Sequence, residues 1–191
     1  VTAKLSQVGI EYTYNMWIKI TDPGTSHKSK CILYRSSASA ADKTKAANPS
    51  IWLKPDNSLM VRASTRANPN PGTSELQEQL YPTYPNASVG GDSYTIVNPL
   101  HEENSANADS NTKTAVCDVN NIPMQRWVQI TVVLWNQTMD VYINGKLTRS
   151  CILPGMPLHD PDALANVYIG GGPNDNFNGH ISRVRYFNHA I

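Results

Sequence analysis

Two segments constrain the fold of this chain more than any others. The first is Asp140-Val141-Tyr142-Ile143-Asn144-Gly145-Lys146-Leu147. An Asn-Gly pair between two strand-like runs is the strongest short-range hairpin signal, because a type I′ turn needs positive φ at both central residues. The second is Gly170-Gly171-Gly172, followed by Phe177-Asn178-Gly179-His180-Ile181-Ser182-Arg183-Val184-Arg185-Tyr186-Phe187-Asn188. It reads as a Gly-rich loop that leads into a closing strand.

The remainder is also written in strand periods. Residues 10–21 alternate: Ile10, Tyr12, Tyr14, Met16, Ile18 and Ile20 on one face, Glu11, Thr13, Asn15, Trp17, Lys19 and Thr21 on the other. Period two over this length is a half-buried strand, and Asp22-Pro23-Gly24 ends it with turn chemistry. Cys31-Ile32-Leu33-Tyr34 is the next strand. Ser50–Leu53 and Ser58–Ala63 flank Lys54-Pro55-Asp56-Asn57 as a hairpin. Trp127–Trp135 is the longest apolar run, and its β-branched content places it mid-sheet with both faces partly covered. Met139–Ile143, Lys146–Leu153, Asn166–Ile169 and residues 180–187 complete the set. Roughly ten short strands and almost no helix imply a β-sandwich. Spacing alone leaves an immunoglobulin-like sandwich and a jelly roll equally open.

Residues 64–114 break the pattern. They hold Pro69, Pro71, Pro82, Pro85 and Pro99 amid Asn and Ser, with little apolar periodicity. A stretch this long without structure of its own is functional or poorly ordered. Within it, Tyr94–Val97 suggests one short strand, and Ser74–Leu80 about two helical turns capped by Ser74.

Composition narrows the function class. Charged residues are 16% and the formal net charge is +1, which argues against the clustered Lys and Arg of a nucleic-acid footprint. A chain of 191 residues suits one large β domain, able to bury roughly 70% of its unfolded surface. No run approaches the roughly 18 apolar residues of a membrane helix. Val1 stands where a starting Met would, so the sequence is compatible with a signal or anchor segment ahead of it. Of the three cysteines, Cys117 and Cys151 flank the central hairpin. A bond between them closes a loop of about 35 residues; three buried thiols in a reducing compartment are the equal alternative. Asn86-Ala87-Ser88 and Asn136-Gln137-Thr138 are glycosylation sequons if the chain is secreted.

Trp127-Val128-Gln129-Ile130-Thr131-Val132, Met139–Lys146, Ile169-Gly170-Gly171 and Phe177-Asn178-Gly179-His180-Ile181 together resemble the laminin G-like domains of the concanavalin A-like lectin and glucanase superfamily. The likeness covers Tyr12–Ile20, Asn48–Val61 and Cys117–Phe187. Asn121–Trp127 and Arg149–Pro157 are similar to a branch common in large DNA viruses and marine environmental sequences. The resemblance implies one all-β domain over 1–191, a two-sheet antiparallel jelly-roll sandwich with an irregular insertion at about 64–114. In that frame Trp127, Ile130, Val132 and Leu134 form one inner face and Leu59, Val61, Val141 and Ile143 the other. Gly170–Gly172, and Gly179 at the start of the last strand, are expected at positive φ.

Enzymes of this superfamily carry a Glu-x-Asp-x-x-Glu strand, and retaining hydrolysis needs carboxyls about 5–5.5 Å apart. That spacing is absent here: Glu75 with Glu78 and Glu102 with Glu103 fall in the insertion. The expectation is therefore a non-catalytic carbohydrate-binding or adhesion module, extracellular or on a virion surface. The alternative is a structural subunit of a virus particle or filament that contacts neighbouring protein subunits. Sugar rings stack on aromatic faces, which makes Tyr81, Tyr84 and Tyr94 of the insertion, with Asn176, the ligand-binding candidates. Relatives hold calcium at a loop rim, and Asp160, Asp162 and Asp175 are the candidate ligands. Trp17 and Trp52 read first as cover for the outward sheet faces.

Overall fold

The computed structural model describes residues 10–22, 30–36, 47–66, 112–153, 157, 166–170 and 177–191. These form ten strands: β1 (Glu11–Asp22), β2 (Lys30–Ser36), β3 (Ala47–Leu53), β4 (Leu59–Arg66), β5 (Thr112–Val116), β6 (Trp127–Trp135), β7 (Thr138–Ile143), β8 (Lys146–Ile152), β9 (Asn166–Ile169) and β10 (Asn178–Phe187). They build two five-stranded antiparallel sheets, ordered β10-β1-β6-β7-β8 and β5-β4-β3-β2-β9. The architecture is an all-β jelly-roll sandwich. Among the described residues no helix is long and apolar enough to cross a membrane.

The core follows from the alternation. Tyr12, Tyr14, Met16, Ile18 and Ile20 of β1 and Val128, Ile130, Val132 and Leu134 of β6 meet Leu33, Ile51, Leu53, Leu59 and Val61 of the facing sheet, all buried. Each such side chain contributes about 1.5–3 kcal/mol on burial. Trp127 is not part of this layer. In β6 the inward residues are even-numbered, so Trp127 shares the outward face with Gln129, Thr131 and Trp135 and is 45% exposed. The coverage expected on both faces of β6 is likewise uneven: Val133 is buried, while Trp127 and Trp135 are exposed.

Turns match their residues. Asn144 and Gly145 both have positive φ, 53° and 78°, as a type I′ turn requires. Lys54 N–H donates to Ser58 O and Asn57 N–H to Lys54 O across the β3–β4 turn, with Asn57 at positive φ. Gly170 has φ 75°. Gly179 differs from expectation: its need is space, not positive φ. A Cβ there would lie 2.2 Å from the carbonyl oxygen of Lys19 and 2.7 Å from the Phe177 ring. Only glycine lets β10 pair so closely with β1.

The insertion is narrower than 64–114. Ser64 pairs with Thr114, Thr65 with Lys113 and Arg66 with Thr112, so both ends are strand. The rest of it, with the proposed Tyr94–Val97 strand and Ser74–Leu80 helical turns, lies outside the described residues.

A disulfide joins Cys117, just after β5, to Cys151 in β8, with Cα atoms 5.9 Å apart. Because β5 and β8 are edge strands of opposite sheets, the bond ties one side of the sandwich shut, and Arg149 adds a hydrogen bond to Asp118 O there. Cys31 is buried beside Tyr34, Trp52 and Met60 on the outward face of the second sheet. Replacing Cys151 by Ser should lower unfolding free energy by roughly 4 kcal/mol, the chain-entropy value for a loop of this size. Denaturant unfolding checks this; a variant within 1 kcal/mol of the parent, or roughly that little, would show the tie to be incidental.

Candidate functional site

The outward face of the β10-β1-β6-β7-β8 sheet can be read row by row from the register. His180, Lys19 and Trp127 form one row; Ser182, Trp17 and Gln129 the next; Arg185, Asn15, Thr131 and Tyr142 the third. Directly opposed side chains on one face stand about 4.5–5.5 Å apart at Cβ, and diagonal neighbours about 7–8 Å. Trp127 is thus opposite Lys19 and diagonal to Trp17. Its ring lies 6.4 Å from that of His180. Asn15 Nδ2 donates to Thr131 Oγ1 at 2.7 Å, which orients both groups across the third row. Gln129 N–H donates to Asn144 Oδ1 while Asn144 N–H donates to Gln129 O, each at 2.9 Å. The β7–β8 turn is thereby fastened to the middle of the face.

One end of the face is occupied. Thr13 Oγ1 donates to His189 O, and Ala190 N–H donates to the Glu11 carboxylate. The last residues of the chain therefore cross β1 there, and Thr13 is fully buried. The rows around Trp17 and Trp127 lie at the other end. They combine flat apolar rings with amide, hydroxyl and cationic groups, the chemistry that holds a polyhydroxylated ligand.

The family assignment comes from sequence comparison. A laminin G-like family described as belonging to the concanavalin A-like lectin/glucanases superfamily matches residues 50–191. The chain belongs to this family. Comparison with curated proteins finds no match. Among solved structures, the receptor binding domain of botulinum neurotoxin mosaic serotype C/D is similar at TM-score 0.53 and 12% identity, over 95% of this chain and 33% of that one. The binding domain of botulinum neurotoxin DC is similar in a complex with SialylT, at TM-score 0.53, 12% identity, and 95% and 32% coverage. The same domain with rat synaptotagmin II gives TM-score 0.51, 12% identity, and 95% and 33% coverage. The chain spans about one third of the length of these toxin chains. At this identity the likeness is one of fold.

Of the residues weighed from sequence for ligand or metal binding in this laminin G-like domain, only Trp17 and Trp52 are among the described ones. Tyr81, Tyr84, Tyr94 and Asn176, and the calcium candidates Asp160, Asp162 and Asp175, all lie outside the described residues. Among the described residues no three His, Cys, Asp or Glu side chains are grouped to hold a metal. Trp52 is buried on the second sheet's outward face, near-parallel to Tyr34, which stacks in turn on Tyr168 at 4.8 Å. Trp17 is only half-buried and joins the face described above. Sequence reading missed Trp127 and Trp135. The signal was present: Gln129 and Thr131 share their parity, and a polar pair at alternate positions marks a face turned to water.

Two buried polar clusters lie away from the face and serve the fold. Arg35 of β2 points between the sheets toward Tyr12, Tyr14 and Tyr186, which burial pushes above the usual phenol range against the opposing pull of the Arg35 charge. The Tyr12 hydroxyl donates to Asn48 Oδ1. At the opposite edge, Asp118 takes hydrogen bonds from Arg62 and from Lys54 Nζ, the latter at 2.8 Å. Burial raises the Asp118 carboxyl, but the bonds and charges of Arg62 and then Lys54 outweigh it, and its pKa falls below the ordinary value. A depressed carboxylate stabilises the fold above its unfolded pKa, about 3.9, and the contribution is lost as pH falls through the lower folded value. Asp118→Asn should cost roughly 3–5 kcal/mol at pH 7 by leaving Arg62 buried without its charge partner. The gap between variant and parent should narrow on acidification below about pH 4. Urea unfolding at pH 7 and pH 3 checks both; a gap that does not change with pH would contradict the ion-pair account.

Proposed function

We propose that this domain is a non-catalytic carbohydrate-binding or adhesion module of a cell or virion surface, and that its ligand face is the outward side of the β10-β1-β6-β7-β8 sheet. The observation that carries the reading is the exposed Trp127 beside half-buried Trp17, interleaved with Lys19, Gln129, Asn15, Thr131 and His180 in facing register. Family membership supports it. The similar toxin binding domains were solved in complex with SialylT in one case and with rat synaptotagmin II in another, which is in keeping with a binding role. The disulfide supports an oxidising, extracellular setting.

The placement of carboxylates favours binding over hydrolysis. On the described part of this face Glu11 and Asp140 stand on strands two apart and in different rows. Their backbones are about 10 Å apart across the sheet and about 7 Å along it. With Glu11 already accepting from Ala190 N–H at one end of the face, the two are not the directly facing carboxyl pair that a glycosidase uses. The structural-subunit reading draws on a different observation: Trp135 and Ile152, 60% and 63% exposed, flank Thr138 in one row at the β8 edge, an apolar strip suited to a neighbouring subunit.

A glycan array decides between the two. The parent domain should retain a defined set of glycans, and Trp127→Ala should weaken that set at least tenfold, about 1.4 kcal/mol, with unchanged thermal unfolding. An array on which nothing binds, or a Trp127→Ala variant with parental affinity, would remove this face from consideration and leave the subunit reading.

A further inference from the structure

The last strand does not keep a simple period of two. Ile181, Val184 and Tyr186 all pack against the core, which uninterrupted alternation cannot deliver, because 181 and 184 have opposite parity. The register resolves this with a bulge: Trp17 pairs with Ser182 and Asn15 with Arg185, so Arg183 and Val184 together oppose Met16. Arg183 takes φ 51°, a left-handed conformation that a long side chain rarely adopts. Its consequence is a change of face for everything that follows. Val184 and Tyr186 turn inward, and Arg185, which would otherwise point into the core, turns outward.

Arg185 thereby joins Lys19 and His180 on the face that carries Trp17 and Trp127. Lys19 and Arg185 lie one row to either side of the Ser182–Trp17 row. Their backbones are about 13 Å apart along the sheet, a gap that two long basic side chains close from opposite ends. Among the described residues the carboxylates near this face are otherwise engaged or distant: Glu11 accepts from Ala190 N–H at the far end, Asp22 already has a partner, and Asp140 lies two strands away. The chain as a whole is close to neutral, at +1, so the clustering of cations beside the Trp rings is local.

Building on the carbohydrate-binding reading above, we propose that this face selects anionic glycans: an acidic group is held over the Ser182–Trp17 row between Lys19 and Arg185, beside His180, while the sugar ring stacks on Trp127. Carboxylate and sulfate offer the same charge and the same acceptor oxygens to Lys and Arg, and both are covered by the proposal.

The test measures affinity of the whole chain for matched oligosaccharide sets: a neutral parent, its sialylated or uronic-acid form, and its sulfated form. At least one acidic form should bind at least tenfold more tightly than its neutral parent, with the advantage shrinking as salt rises from 50 to 500 mM, roughly the range over which surface charge becomes screened. The comparison of carboxylated with sulfated forms tells which acid is preferred. Lys19→Ala and Arg185→Ala, made together, should bring acidic and neutral forms within about twofold of each other, with thermal unfolding near parental because both side chains reach the surface. Acidic forms that bind no better than neutral ones, while binding still depends on Trp127, would overturn the charge selection and leave the carbohydrate reading intact. Retention of the acidic preference in the double variant would overturn the assigned residues. Absence of binding by every form would overturn the selection together with the reading beneath it.

Discussion

The outward face of the β10-β1-β6-β7-β8 sheet is set by the apolar side chains that fill its inward face. Strand β1 lies between β10 and β6, and its five inward-facing side chains, Tyr12, Tyr14, Met16, Ile18 and Ile20, are buried to 2% exposure or less. Period two then leaves no freedom for the intervening residues: Asn15, Trp17 and Lys19 must point away. The same holds for β6, where Val128, Ile130, Val132 and Leu134 fix the direction of Trp127, Gln129 and Thr131. A shift of one residue in either strand would bury Lys19 or Gln129 and expose Ile18 or Ile130. The cost of such a slip is several side chains' worth of burial, each about 1.5–3 kcal/mol, so the arrangement of the face is rigidly inherited from the core.

Departures from regularity occur where that inheritance needs correction. Gly179 removes a Cβ that would strike the Lys19 carbonyl and Phe177, letting β10 lie close to β1. Four positions later Arg183 takes up one extra residue and restores the core contacts of Val184 and Tyr186. The bulge also blunts an edge strand, a common defence against unwanted pairing. On the opposite edge, β8 exposes Lys146, Arg149 and Ile152, and the disulfide joins it to Cys117 of the facing sheet. The two sides of the sandwich are thus closed by different means, one covalent and one by the shape of the last strand.

Much of this was legible in the sequence. The period of β1, the Asn144-Gly145 turn and the Trp127–Trp135 run place their strands to within a residue or two, because each is set by local physics. The face was harder to read. Assigning Trp127 inward gave too much weight to its size and too little to the parity of Gln129 and Thr131. The role of Gly179 was also misjudged, since close approach between strands distant in sequence leaves no local mark. The bulge at Arg183 was inferable in principle from the Ile181-x-x-Val184 spacing, but only once Ile181 and Val184 are known to share the core. Nearest-neighbour chemistry is written in the chain; register between β1 and β10, more than 150 residues apart, is not.

The central claim is that ligand meets the Trp17 and Trp127 rows on the outward side of the β10-β1-β6-β7-β8 sheet, not the Trp135 end of that side. The chain has four tryptophans, two of which, Trp17 and Trp127, lie in the open rows, while Trp135 stands at the β8-side strip and Trp52 is buried on the other sheet. Their four indole N–H resonances therefore report on separate places in one spectrum. Titration with a glycan retained by the domain should shift the Trp127 and Trp17 signals together and leave Trp52 still. Movement of Trp52 or Trp135 alone, with Trp127 and Trp17 unmoved at saturation, would contradict the account.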